Sequence, residues 1–168
     1  DPLNPDDLLV VAHNGGNTAG LWSFDPKTKQ YKELIYRRPD GDVFPIFHSN
    51  RYKHPDVITG VRFYDGRELK REFFDEEEKA IYEQLKSIIP NADRISIRSR
   101  SKDGMTIVVY NRGPRDPGTF YLLKNGKFQV IGSEMPWFSS DRLADVEEIK
   151  YKSRDGKLIR GFITIPNS

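Results

Sequence analysis

Cysteine is absent from the 168 residues, which removes disulfide scaffolds, thiolate nucleophiles and cysteine-bound zinc. One-sided charge is absent too: 27 Lys and Arg stand against 25 Asp and Glu, a net +2. The dense basic face that phosphate recognition needs is missing, so no nucleic-acid partner is expected. No apolar run approaches the roughly 18 residues of a membrane-spanning helix, and no basic start followed by an apolar stretch marks a secretion signal. No membrane partner is expected, and cytoplasmic and periplasmic locations stay open. The Gly-x-Ser-x-Gly elbow, the His-Glu-x-x-His zinc pair, the Gly-x-Gly-x-x-Gly loop and the Walker pattern are all missing. No catalytic, metal or cofactor-binding residue is therefore assigned, and no cofactor is expected.

What is present suffices for a folded core, with 36% hydrophobic and 12% aromatic residues. Asp65-Gly66, Asp103-Gly104, Asn125-Gly126 and Asp155-Gly156 each separate runs rich in β-branched, aromatic or alternating residues. Such pairs accept the positive φ angles of a two-residue hairpin turn, so four antiparallel hairpins are expected. One segment has the other period: Ile81, Leu85, Ile88 and Ile89 lie on one helix face between Asp75 and Ile89. Asp75 caps this helix with Glu78 at the capping-box position, Glu76 and Glu77 suit its positive end, and Pro90 stops it.

Val10 to Phe24 aligns without gaps on Val108 to Leu122, matching Gly15 to Gly113 and Gly20 to Gly118 at an offset of 98 residues. Half that offset is close to the roughly 40–50 residues of one four-stranded propeller blade. The fold class expected is mainly β, with antiparallel hairpins forming a partial β-propeller of about three blades and one α-helix near 75–89. Closed propellers typically need about 4 to 8 blades, so further blades are expected outside this stretch. The chain begins without Met and stops directly after a strand-like run, and both ends are read as internal to something longer.

Ser101-Lys102-Asp103-Gly104, the strand Ile107 to Tyr110, and Asp116-Pro117-Gly118-Thr119-Phe120-Tyr121-Leu122 follow one another in order. Glu148 to Pro166 then supplies a hairpin with an Arg154-Asp155-Gly156 turn leading into a strand that ends in Pro. In this order the segments resemble the late propeller blades and the start of the hydrolase domain of prolyl-oligopeptidase-family serine peptidases, particularly the acylaminoacyl-peptidase-like branch. The resemblance runs from about Asp93 to Pro166 and extends in outline back to Val57. It implies residues 1–145 as part of the propeller and 146–168 as the first hairpin of the hydrolase domain. It also implies a propeller that covers a Ser-His-Asp site in the parent chain and restricts access to peptides. The implied partners are the missing hydrolase domain, the remaining blades and a peptide substrate. No triad residue maps onto this chain.

Ser133 and the run Ser139-Ser140-Asp141 read as loop and cap residues, and His13, His48 and His54 as surface or loop histidines. The Gly15 and Gly113 loops read as connections between strands. Arg94, Arg98, Arg100 and Lys102 share one alternating face with Ser96 and read as a solvated basic stripe. Arg112 and Arg115, on a loop between blade strands, are the candidate substrate-channel contacts. Trp22, Trp137, Phe44 and Phe47 read as core or inter-blade packing. The leading function is thus a non-catalytic gating segment of a serine peptidase. The alternative is a stand-alone β-rich module that binds protein or glycan, and a third reading is a piece that dimerises edge to edge.

Overall fold

β-Branched and aromatic runs punctuated by Gly, Asn and Asp turns produce twelve strands and one α-helix among residues 6–166, which the computed structural model describes. The fold is mainly β, as expected. β1 (Leu8–Ala12), β2 (Gly20–Asp25) and β3 (Gln30–Tyr36) form a three-stranded antiparallel sheet. β4 (Phe44–Phe47), β5 (Ile58–Asp65) and β6 (Glu68–Phe73) form a second. After the helix α1 (Glu76–Ile88) come β7 (Ser96–Arg100), β8 (Thr106–Gly113), β9 (Asp116–Lys124) and β10 (Lys127–Ser133), one four-stranded meander. β11 (Val146–Lys152) and β12 (Leu158–Thr164) make a separate hairpin. The described residues pack as two compact units that divide between Ile81 and Tyr82.

Alternation sets the cores. In the first unit Leu21, Val43 and Val61 are fully buried and Phe63 nearly so, with Leu9, Tyr36 and Ile58 packed against them. Each such side chain contributes about 1.5–3 kcal/mol by leaving water. The second unit buries Leu85, Ile89, Ile95, Ile107, Val109, Tyr110 and Tyr121. Asp75 caps α1 as read from the sequence, its Oδ1 accepting the Glu78 N–H at 2.9 Å. Glu78, at the capping-box position, sends its carboxylate across to Ser49, accepting from the backbone N–H at 2.9 Å and the hydroxyl at 2.7 Å.

All four predicted hairpins form, but their turns differ. Asn125 and Gly126 have φ of 51° and 73° between the paired Lys124 and Lys127, the two-residue turn expected. At the first hairpin Asp65 pairs with Glu68, so Gly66 and Arg67 form the turn and Asp65 ends the strand. The loops at Ser101–Met105 and Ser153–Lys157 are longer than two residues. In each, the Ser carbonyl accepts the Gly N–H three residues on, at 2.8 Å for Gly104 and 2.9 Å for Gly156, and the Gly takes a φ near 82° or 81°. A type I turn followed by a left-handed Gly explains why Ser-x-Asp-Gly replaces the shorter form.

The proposed internal repeat matches in hairpin topology and not in register. Val10 faces Trp22, yet Tyr110, not Val108, faces Phe120. An irregularity between Asn111 and Gly113 accompanies this difference of two residues.

Candidate functional site

Of the two predicted contact residues Arg115 lies in the β8–β9 turn, whereas Arg112, expected on the loop, lies in the last turn-proximal stretch of β8, and this end of the hairpin is built from the inside outward. Asn111, at the end of an apolar strand, is fully buried. Its Nδ2 donates to Asp116 Oδ2 at 2.6 Å and to the Asn91 carbonyl at 3.2 Å, and its Oδ1 accepts the Asp93 N–H at 3.0 Å. Asp116 Oδ1 in turn accepts the Gly118 N–H at 2.9 Å and the Thr119 hydroxyl at 2.8 Å. A network this well satisfied in low dielectric fixes the backbone on either side of it. The two-residue turn Pro114-Arg115 is held between the paired Gly113 and Asp116.

Arg112 and Arg115 leave this hairpin end toward different partners. Arg115 grips Asp145 through both Nε and Nη2 at 2.9 Å, and that hydrogen bonding raises its already high pKa. Its fork is thereby engaged within the chain. Arg112 is half exposed, its Nη1 3.9 Å from Glu134 Oε2. The same Glu134 oxygen accepts the Tyr110 hydroxyl at 2.9 Å. Burial, then the Glu134 hydrogen bond, push the Tyr110 pKa above its ordinary value, while Arg112 pulls the other way. The Arg98 guanidinium lies 4.6 Å over the Tyr110 ring. Arg98, Tyr110, Arg112 and Glu134 thus form one patch with two guanidiniums around a tyrosine–glutamate pair.

The basic stripe read from alternation is broken. β7 carries a bulge between Ile97 and Ser99: Ser96 faces Tyr110, whereas Arg100 faces Ile107. Arg98 and Arg100 therefore lie on opposite faces, and Arg100 donates from Nε to the Gly104 carbonyl at 3.3 Å. Alternation keeps Arg98 on the Ser96 face, where its guanidinium covers the Tyr110 ring, and the bulge turns Arg100 to the other face.

The other candidates are placed as follows. Ser133 donates to the Gly118 carbonyl at 3.1 Å, and Ser139 precedes a short 3-10 turn over Ser140–Arg142. His48, expected near the surface, is buried, its ring stacked on His54 at 4.2 Å. Ser49, His48 and Glu78 lie together, but not as nucleophile and base. The Ser49 hydroxyl proton goes to Glu78, and His48 Nδ1 accepts the Asn50 N–H at 3.0 Å. Among the described residues no group of three His, Asp or Glu side chains is arranged to hold a metal. Trp22 donates its indole N–H to the Ala12 carbonyl at 3.1 Å beneath Arg37, whereas Trp137 is 79% exposed and packs in no core. Phe44 and Phe47 are also partly exposed. In the first unit Phe47 joins Leu8, Leu9, Val11, Pro55 and Ile58 around an apolar groove of about 460 Å³ that the sequence did not announce.

No protein-family model matches the chain, and no curated protein matches it.

Proposed function

We propose that the chain is a non-catalytic, propeller-type segment of a prolyl-oligopeptidase-type serine peptidase, joined to the first hairpin of its hydrolase domain. The observation that carries this reading is an order: a four-stranded up-and-down sheet, β7 to β10, followed by a detached hairpin, β11–β12. The residues that resemble the peptidase family occupy those same elements in the same sequence. An up-and-down sheet of four strands has the form of a propeller blade. In the parent chain this part excludes folded proteins and admits flexible peptides. Arg112, together with Arg98, meets the carboxylate of an incoming peptide, while Arg115 holds Asp145 at the start of the run into β11.

The test is made on the product of the full open reading frame. It is expected to carry a Gly-x-Ser-x-Gly serine that reacts with a fluorophosphonate probe and to hydrolyse short acyl-peptides, while residues 1–168 alone do neither. Replacing Arg112 by Ala is expected to raise KM for peptides with a free C-terminus more than for amidated ones. A full-length product without a reactive serine overturns the proposal.

The apolar groove supports a second reading, a β-rich module that binds an extended apolar peptide. Its lining is Leu, Val, Ile, Phe and Pro with Asp56 as the one charged side chain.

A further inference from the structure

We propose that β11 pairs antiparallel with β11 of a second copy of this chain, joining two hairpins into one four-stranded sheet. β11 and β12 form a sheet of only two strands, and Ile149, Tyr151, Leu158, Phe162, Ile163 and Ile165 on it are 40–64% exposed. A lone two-stranded hairpin is marginal in water, and an uncovered edge is a template for another strand.

The edge of β11 is written for its own copy. Its sequence, Val-Glu-Glu-Ile-Lys-Tyr-Lys, places Glu147 and Glu148 before Ile149 and Lys150 and Lys152 after it. With a two-fold axis at Ile149, Glu148 faces Lys150 of the second copy and Lys150 faces its Glu148. Shifting the register by two sets Glu148 against Glu148 in one direction and Lys150 against Lys150 in the other, and like charges directly opposite are destabilising.

The backbone agrees with that register. The Ser153 N–H bonds the Lys157 carbonyl at 2.9 Å, and the pairing from Lys152 back to Val146 runs without a shift. Tyr151, Ile149 and Glu147 therefore turn their peptide groups toward β12, and Lys152, Lys150, Glu148 and Val146 turn theirs to the open edge. In the paired sheet Glu148 and Lys150 exchange the main-chain hydrogen bonds. The two Ile149 residues meet at a non-hydrogen-bonded pair, where Cα atoms lie about 4.5 Å apart. Ile149, Tyr151, Ile159 and Ile163 share a face of the hairpin with Gly161 and Glu147, so pairing brings the two Ile149 side chains together on that face with each Glu147 opposite the other copy's Tyr151.

The pairing does not depend on a peptidase role for the chain. Sedimentation equilibrium is expected to show a dimer for the wild-type chain. Glu148→Lys should weaken dimerisation about tenfold or more, and Glu148→Lys with Lys150→Glu should restore it, because the swapped charges are again complementary. Since the chain has no cysteine, Ile149→Cys is the only thiol in its variant and should form a disulfide-linked dimer on mild oxidation, whereas Arg160→Cys on β12 should not. Circular dichroism checks that each variant is folded. A monomeric wild type, a folded double-swap variant that stays monomeric, or cross-linking through Arg160→Cys and not Ile149→Cys overturns the proposal.

Discussion

The side-chain amide of Asn111 donates to the carboxylate of Asp116 at 2.6 Å in a place that water does not reach, and the pair sets the hairpin end on which Arg112 closes β8 and Arg115 makes the turn. Asn111→Ala leaves the Asp93 N–H and one Asp116 oxygen without this partner. Unfolding in urea is expected to show a loss of about 2–4 kcal/mol. Asn111→Asp sets a second carboxylate beside Asp116. One of the two must hold a proton, so that variant is expected to lose stability as pH rises through the carboxylate range.

Tyr110 and Tyr121 both have pKa values raised first by burial, with Glu134 adding to the shift of Tyr110 and Asp116 to that of Tyr121. Spectrophotometric titration is expected to show phenolate from these two appearing after that of the exposed tyrosines. Tyr110→Phe should remove one late component. A group whose folded pKa lies above its unfolded one stabilises fully below the unfolded value. This contribution is therefore lost as pH climbs past 10.0, the ordinary tyrosine value, and through the folded pKa.

Gly60 sits in β5 where a Cβ would stand 2.4 Å from the Glu72 carbonyl of β6. Backbone must move to admit it, so Gly60→Ala is expected to cost about 1–3 kcal/mol in thermal or urea unfolding. Gly132 has open space at the same position and no positive φ. Gly132→Ala is expected to change stability by less than about 0.5 kcal/mol, which makes it the matched control.

Gly104 and Gly156 occupy the same left-handed position in two Ser-x-Asp-Gly loops. Alanine at either is expected to cost about 1–2 kcal/mol from backbone strain. At Gly104 the new Cβ also meets the Arg100 guanidinium at 3.1 Å, so Gly104→Ala should be the more damaging of the two. Asparagine, which tolerates this conformation, should recover part of the loss at Gly156.

The elements readable from sequence were those with short-range causes. Asp75 announces α1 because capping acts over three residues, and Asn125-Gly126 announces its turn because both residues must adopt positive φ. β3 gave no such signal: the turn before it uses Lys29 at φ 58°, with Asp25 Oδ1 accepting the Lys27 and Thr28 N–H groups. β4 contains Pro45, which is tolerated because β4 is an edge strand. The candidate site was legible only in part. Arg112 and Arg115 stood out by position. The role of Asn111 depends on Asn91 and Asp93, far away in the chain, and Arg100 leaves the face of Arg98 through a bulge that no alternation predicts.

Every pairing in the four sheets joins strands that are neighbours in the chain. Nascent chain emerging from a ribosome can therefore close each sheet as soon as its last strand is free, without waiting for distant sequence. Loop closure over such short spans takes well under a millisecond, far faster than synthesis at about 5–20 residues per second. The four-stranded sheet bearing Arg112 is then expected to be assembled before the hairpin at residues 146–164 has left the exit tunnel.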